Sequence, residues 1–139
     1  MKIKVLLVRP GMEVEVKRIP ASIKSIKSVI EADNILKIEI NENTVILANK
    51  NAKVDDFNRI FGDIIISGTF IIVSTKNNKL ISMRKRNIRR YSNIFKLKKH
   101  KNKVEHYKEE YLEDYYYNQR VMKMESAKRN SQELMKLIA

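Results

Sequence analysis

The most apolar stretch of the chain spans residues 63–74 and is broken by Gly68. Continuous hydrophobicity of this kind is typical of a strand that is buried on both faces. A glycine inside such a stretch indicates a bulge or a close approach of another backbone segment. We therefore expect residues 63–74 to form the centre of a sheet.

Two hairpins are predicted before this central strand. Residues 3–8 form a β-rich run closed by a Pro-Gly turn pair, and residues 13–19 then alternate polar and apolar side chains with period two. Residues 35–40 and 45–48 are also strand-like, and the segment between them, Asn41-Glu42-Asn43, is composed of residues that favour turns. In each pair, the connection between the two strands is short enough for a hairpin.

Helical segments are predicted in four places. Residues 20–30 place apolar side chains on one helical face, namely Ile23, Ile26, Val29 and Ile30. Residues 55–61 are predicted to form a helical turn that ends at a glycine. Because no glycine or proline follows residue 68, we expect one helix over residues 82–96 and a longer one from about Val104.

These elements predict an α+β fold with a small, mostly antiparallel sheet. The sheet consists of the two hairpins and the central Ile-rich strand, is packed with helices, and is followed by a long C-terminal helix. The chain of 139 residues has room for one core and an appendage. We expect a domain over residues 1–95, a basic linker over 96–103 and an amphipathic helical extension over 104–139.

Positive charge is concentrated in one window. The chain carries a net charge of +13, and residues 84–103 contribute ten basic and no acidic side chains to it. Residues 1–83 carry a net charge of +4 and residues 104–139 a net charge of −1. Such a dense block of like charge repels itself unless it meets an anionic partner or spreads into solvent.

Nucleic acid or another polyanion, such as polyphosphate, is one predicted partner of this window, because lysine and arginine engage phosphates by releasing counterions. An acidic protein is a second possibility, and a solvated face whose lysines reflect an AT-rich genome is a third. Tyr91 and Phe95 either stack on bases or pack, with Ile88, against the sheet. The predicted phosphate-contacting residues are Arg84, Arg86, Arg89, Arg90, Lys96, Lys98, Lys99, Lys101 and Lys103.

The C-terminal extension has an apolar and aromatic stripe. Tyr107, Tyr111 and Tyr115 repeat every four residues, and Met122 continues the stripe, while acidic side chains line the other sides. Such a stripe covers its own domain, a second subunit or another protein. These four residues are the predicted interface for a homo-oligomer or a host protein.

Catalytic and cofactor-binding patterns are missing from the sequence. The chain has no cysteine, its three glycines are isolated, and its two histidines, His100 and His106, stand among charged residues. We therefore expect no enzymatic activity, no cofactor and no metal site. Apolar runs are far shorter than the ~20 residues of a membrane span, and none resembles a signal-peptide core, so we expect a soluble, cytoplasmic protein.

Three segments carry a family resemblance. They are Val5-Leu6-Leu7-Val8-Arg9-Pro10-Gly11, the strand and polar turn over residues 45–53, and Phe57-Asn58-Arg59 followed by the Ile-rich Gly-Thr-Phe strand of residues 63–73. Together they resemble domain of unknown function 3846 over residues 2–95. The resemblance implies a small α+β domain, encoded by bacteria, plasmids and phages, with no established activity.

The chain departs from that family at two positions and adds a basic helical extension. Glu31-Ala32-Asp33 stands where the family tends to have a glycine after the first helix, and Ala52 also replaces a usual glycine. These departures leave the order of the three matching segments unchanged.

A ligand pocket, if the domain has one, is predicted beside the buried strand. Its candidate residues are polar or glycine, and an arginine among them can grip a carboxylate or phosphate: Asn49, Asn58, Arg59, Gly68 and Thr69. The alternative is that Asn58 caps a turn and that Arg59 pairs with Asp55 or Asp63.

Three functions follow from these patterns, and all are non-catalytic. The first is a nucleic-acid-binding accessory protein of a bacterial, plasmid or phage genome that acts through residues 84–103. The second is a protein-interaction module or host-factor inhibitor that uses the tyrosine-rich extension. The third is a protein that sequesters an anionic, nucleotide-like ligand.

Overall fold

The computed structural model describes residues 1–53 and 55–98. Eight strands and two helices follow one another along this part of the chain. They are β1 (Lys2–Val8), β2 (Glu15–Pro20), α1 (Ile23–Ile30), β3 (Ile35–Asn41), β4 (Thr44–Asn49), β5 (Phe57–Phe61), β6 (Ile64–Ser67), β7 (Phe70–Lys76), β8 (Lys79–Ile81) and α2 (Lys85–Ile94).

Six strands form one antiparallel sheet with β7 at its centre. The order is β2-β1-β7-β4-β3, and the short β8 pairs with the last residues of β7, beyond the part that pairs with β1. β1 pairs with β2 and β3 pairs with β4, so both predicted hairpins are confirmed. The described part of the chain is thus a small, sheet-rich antiparallel fold with two helices.

The sheet is covered on both faces, because successive side chains of its strands point to opposite sides. Leu7 of β1 packs with Ile26 of α1 in one apolar cluster. The neighbouring Leu6 packs with Phe95, at the end of α2, in the other cluster. Ile66 of β6 also belongs to the second cluster, so α2 and the β5–β6 pair share the face opposite α1.

The apolar stretch of residues 63–74 is two strands, not one. Gly68 has φ +74°, a left-handed conformation in which glycine is favoured, and it separates β6 from β7. β7 is the predicted central strand, whereas β6 pairs with β5 in a separate two-stranded sheet. The expectation that residues 63–67 lie at the centre of the main sheet is therefore wrong.

Residues 57–61 are a strand and not the predicted helical turn. β5 buries Asn58, Arg59 and Ile60 in succession, and its pairing with β6 is irregular between Phe57 and Arg59. The polar pair points into the protein, where it hydrogen-bonds to main chain. That arrangement breaks the period-two pattern by which a strand is recognised from sequence.

Both helices form where they are predicted, but α1 begins later than the predicted residues 20–30, and α2 is shorter at both ends than the predicted residues 82–96. α1 begins after Ser22, whose Oγ accepts a hydrogen bond from the backbone N–H of Ser25 at 3.2 Å. α2 begins three residues later than expected because Ser82 and Met83 bond to β1 instead. The backbone N–H of Lys4 donates to Ser82 Oγ, and the Met83 N–H donates to the Lys4 carbonyl, both at 2.9 Å.

Neither helix in the described part of the chain is long and apolar enough to cross a membrane. The predicted long helix from Val104, most of the linker over residues 96–103 and the extension over 104–139 lie outside the described residues.

Candidate nucleic-acid interface

The helix α2 separates its apolar and basic side chains onto two faces. Tyr91 and Phe95 are 2% and 0% exposed, and both belong with the half-buried Ile88 to the apolar cluster under the helix. The Tyr91 hydroxyl accepts a hydrogen bond from Asn41 Nδ2 at 3.1 Å. Phe95 meets the ring of Phe70 edge-on at 5.6 Å between centroids. The packing alternative for Tyr91 and Phe95 is thus confirmed, and neither ring is open for stacking on bases.

The opposite face of α2 is exposed and basic. All predicted cations within the described residues are exposed, as is Lys85, which the prediction did not include: Arg84, Lys85, Arg86, Arg89, Arg90, Lys96 and Lys98. An open concavity of ≈ 740 Å³ lies along this face, lined mainly by Arg86, Arg89, Arg90, Asn93 and Lys96. We call these exposed basic residues and Asn93 the basic face.

No carboxylate neutralises the basic face within the described residues. The two ion pairs recorded there lie elsewhere, between Arg9 and Glu15 at 3.1 Å and between Lys37 and Glu39 at 3.0 Å. Residues 84–98 contain seven basic and no acidic side chains. As far as the described residues go, the face therefore presents, to an anion that approaches it, positive charge that no carboxylate offsets.

The N-terminus of α2 adds to this positive charge. Arg84 occupies the N-cap without a side-chain hydrogen bond, and the first turn contains no acidic residue. A helix N-terminus carries a partial positive charge, and each cation placed there opposes the dipole by about 0.3–1 kcal/mol. Arg84, Lys85 and Arg86 thus lower the stability of α2 while raising the potential of the basic face.

The five candidate ligand residues gather at one end of the sheet. Ala48 of β4 pairs with Phe70 of β7, and Asn49 and Thr69 each stand one residue beyond that pair. Asn58 reaches the same end, where its Nδ2 donates to the carbonyls of Val8 and Gly68 at 2.9 and 2.7 Å. Asn49 uses its Oδ1 within its own turn, to accept from the Asn51 N–H at 2.9 Å.

Arg59 is fully buried and donates to main chain on two sides. Its Nε donates to the Phe95 carbonyl at 2.8 Å, and its Nη2 donates to the Met12 carbonyl at 2.5 Å. Its Nη1 donates to Asn58 Oδ1 at 2.7 Å. Arg59 thereby connects β5 to the loop before β2 and to the residue that follows α2. Arg59 forms no ion pair with Asp55 or Asp63, so the alternative pairing of Arg59 with one of these carboxylates is not observed.

Burial of the charged Arg59 guanidinium costs free energy because the charge is removed from water, and its hydrogen bonds offset part of that cost. Burial lowers the pKa of Arg59 below its usual value, and the negative charge of Glu13 opposes that shift. A ligand that used this guanidinium would displace hydrogen bonds to main chain. Anion binding by Arg59 and its neighbours stays a prediction.

Gly68 allows a close approach, as its position in the apolar stretch predicted. A Cβ atom at Gly68 would lie 3.2 Å from the Cβ of Ala52. The Gly68 N–H also donates to the Asp56 carbonyl at 2.7 Å. This contact fixes the turn before β5 against the start of β7.

Several predicted residues lie outside the described part of the chain, and their roles stay predictions: Lys99, Lys101, Lys103, Tyr107, Tyr111, Tyr115 and Met122. Lys85 and Asn93 are the members of the basic face that the sequence prediction missed. The spacing of Arg86, Arg90 and Asn93 by four and three residues marks one side of a helix and was the signal that could have found Asn93. Metal-binding groups of three or more His, Cys, Asp or Glu are not found among the described residues.

Comparisons with known proteins agree with the motifs of the sequence. Searches of curated proteins and of solved structures return no match. One family model matches residues 1–96, which include every described strand and helix through the buried Phe95. The expected match over residues 2–95 is therefore confirmed, and the chain belongs to the family described as Domain of unknown function (DUF3846).

Proposed function

We propose that this chain is a non-catalytic protein that binds nucleic acid through the basic face of α2. The observation that carries the proposal is the division of α2 into a buried aromatic side and an exposed side of cations, which form no ion pair with any carboxylate of residues 1–53 or 55–98. We propose further that it acts in the cytoplasm as an accessory protein of a bacterial, plasmid or phage system, the genomic context that the family resemblance implies.

The size of the basic face fits several phosphates. A helix of ten residues is about 15 Å long, and each strand of a duplex carries one phosphate per roughly 3.4 Å of its axis. Four arginines and a lysine within residues 84–90 can thus lie near about four phosphates of one strand. With no aromatic ring open on this face, phosphate contacts dominate, and we expect binding with little sequence preference.

Salt-dependent titration of the full chain with labelled duplex and single-stranded oligonucleotides tests the proposal. Affinity should fall steeply between about 50 and 200 mM KCl because bound cations release counterions from the phosphates. The triple variant Arg86→Gln, Arg89→Gln, Arg90→Gln should bind at least about tenfold more weakly at low salt. Its slope of log affinity against log salt should be shallower by about 2–3, since each lost phosphate contact removes about 0.7–0.9.

A matched control removes the same charge from the other side of the sheet. Lys24 and Lys27 belong to α1, and Lys17 pairs with Val5, which faces α1. The variant Lys17→Gln, Lys24→Gln, Lys27→Gln should keep the affinity and slope of the unmodified chain within about a factor of two. Absence of binding at low salt, or equal losses in both triple variants, would contradict the proposed interface.

A further inference from the structure

The acidic part of the C-terminal extension complements the basic face in charge. Within residues 105–114 there are five carboxylates and one lysine, whereas the rest of the extension, residues 115–139, has two carboxylates and five basic residues. The acidic charge is therefore concentrated close to the end of α2. We propose that residues 105–114, the acidic segment, dock on the basic face of the same chain and compete there with nucleic acid.

The chain is long enough for this contact. Six residues separate Lys98, the last described residue, from Glu105. An extended chain covers up to about 3.3–3.6 Å per residue, so this connection spans up to about 25 Å. That distance exceeds the ~15 Å length of α2. The acidic segment can therefore reach every cation from Lys96 back to Arg84.

The basic face offers a place for such an occupant. Its concavity is open and is lined by Arg86, Arg89, Arg90 and Lys96, with no carboxylate partner among the described residues. A segment tethered by a short linker acts at a local concentration in the millimolar range. A contact whose dissociation constant equals that local concentration then occupies the face about half of the time. Because exposed charges are screened by salt, the contact weakens as ionic strength rises.

The inference rests on the proposed function, since it concerns competition for the same surface. Its consequence is autoinhibition: nucleic acid must displace the acidic segment before it reaches the arginines. The affinity of the full chain is then lower than the basic face alone allows, and the difference is largest at low salt.

Two full-length variants with the same net charge test the inference by oligonucleotide titration. The first neutralises the acidic segment: Glu105→Gln, Glu109→Gln, Glu110→Gln, Glu113→Gln and Asp114→Asn. The second neutralises five exposed carboxylates of the described domain: Glu31→Gln, Asp33→Asn, Glu42→Gln, Asp55→Asn and Asp63→Asn. Each variant raises the net charge of +13 by five, so general attraction to nucleic acid rises equally in both.

Docking in cis predicts that the first variant gains at least about tenfold more affinity than the second at low salt, with the gap closing as salt increases. Equal gains in the two variants would overturn the inference while leaving the proposed function intact. A gain that appears only at high protein concentration, with a dimeric mass by light scattering, would also overturn it, because the segment would then act between chains. Absence of binding by all three proteins would instead remove the proposed function.

Discussion

Arg59 shows how one residue can be read in opposite ways from sequence and from structure. An exposed arginine beside a glycine-containing strand would suit a ligand carboxylate or phosphate. In the fold it is 0% exposed and donates to the carbonyls of Met12 and Phe95. A sequence pattern assigns charged residues to the surface, because burial of a charge depends on partners that are distant along the chain.

Replacing Arg59 should therefore act on stability. Arg59→Met keeps the length of the side chain but leaves the Met12 and Phe95 carbonyls and Asn58 Oδ1 without this donor. Only the bonds to Phe95 and Asn58 are buried, whereas Met12 is exposed. Loss of a buried hydrogen bond costs about 1–3 kcal/mol, so we expect the free energy of unfolding to fall by at least about 2 kcal/mol. Urea denaturation followed by circular dichroism measures this change.

Arg9→Met provides the control for loss of an arginine. Arg9 pairs with Glu15 at 3.1 Å, and their side chains are 39% and 49% exposed. An exposed ion pair contributes about 0–1 kcal/mol, so this variant should remain near the stability of the unmodified chain. Comparable losses in Arg9→Met and Arg59→Met would show that the buried hydrogen bonds of Arg59 carry little energy.

The backbone conformation of Glu31 accounts for the glycine that the family resemblance implies after the first helix. Glu31 has φ +54° and ψ +49°, and the following Ala32 N–H donates to the Lys27 carbonyl at 2.9 Å. This is the left-handed helix end in which glycine is most common. A non-glycine residue is strained there by roughly 1 kcal/mol, so the chain keeps the motif with a less suitable residue.

Glu31→Gly should consequently stabilise the protein by about 1 kcal/mol, because the left-handed conformation no longer strains a Cβ atom. Glu31→Ala removes the same charge but retains the Cβ, and it should produce no comparable gain. Thermal and urea unfolding of the two variants separate the backbone effect from the charge effect. If alanine stabilised as much as glycine, the charge of Glu31 and not its backbone would be responsible.

Among the described elements, α2 carries the highest positive charge and begins without a side-chain cap. Arg84 stands at the N-cap without a side-chain hydrogen bond, whereas Ser22 caps α1 through its Oγ. Arg84→Ser should supply a capping oxygen and remove a cation from the positive helix end. We expect the free energy of unfolding to rise by about 1 kcal/mol, and the affinity for oligonucleotides to fall with a salt slope shallower by about 0.7–0.9.

Ser22→Ala is the complementary change at α1. It removes the cap from a helix on the face opposite the basic face, and it should lower stability by about 1 kcal/mol with no change in affinity. Opposite signs for stability and binding in Arg84→Ser, but not in Ser22→Ala, would indicate that Arg84 serves a partner at the expense of its helix. An unchanged affinity in Arg84→Ser would remove Arg84 from the interface.

The elements differ in how far sequence alone could predict them. The hairpins β1–β2 and β3–β4 and the helix α1 depend on local alternation, turn residues and helical spacing, which are all visible along the chain. β5 was missed because Asn58 and Arg59 point inward to partners that are far away in sequence. β8 was missed because it is three residues long, although Asn77 and Asn78, with φ +52° and +61°, form the kind of turn that closes a hairpin.

At the scale of the whole molecule, the described fold consists of a six-stranded sheet and a smaller β5–β6 sheet with no ladder between them. Apolar packing under α2 joins the two, together with Asn58, which donates to the Val8 and Gly68 carbonyls. Units connected mainly through side chains can open separately from the rest of a protein. We therefore expect amides of β5 and β6 to exchange with solvent faster than those of β7.

Two substitutions, one in β7 and one in β5, test this separate opening by native-state hydrogen exchange. Ile71→Val acts within β7 on the face that packs with α1, so it should weaken global unfolding by about 1 kcal/mol and speed exchange in β7 about fivefold. It should leave β5 and β6 unchanged, because the β7 core remains intact when the small sheet opens. Asn58→Ala should instead speed exchange in both regions, since every opening, local or global, breaks the hydrogen bonds of Asn58. Equal acceleration of β5, β6 and β7 by Ile71→Val would show that the two sheets unfold only together.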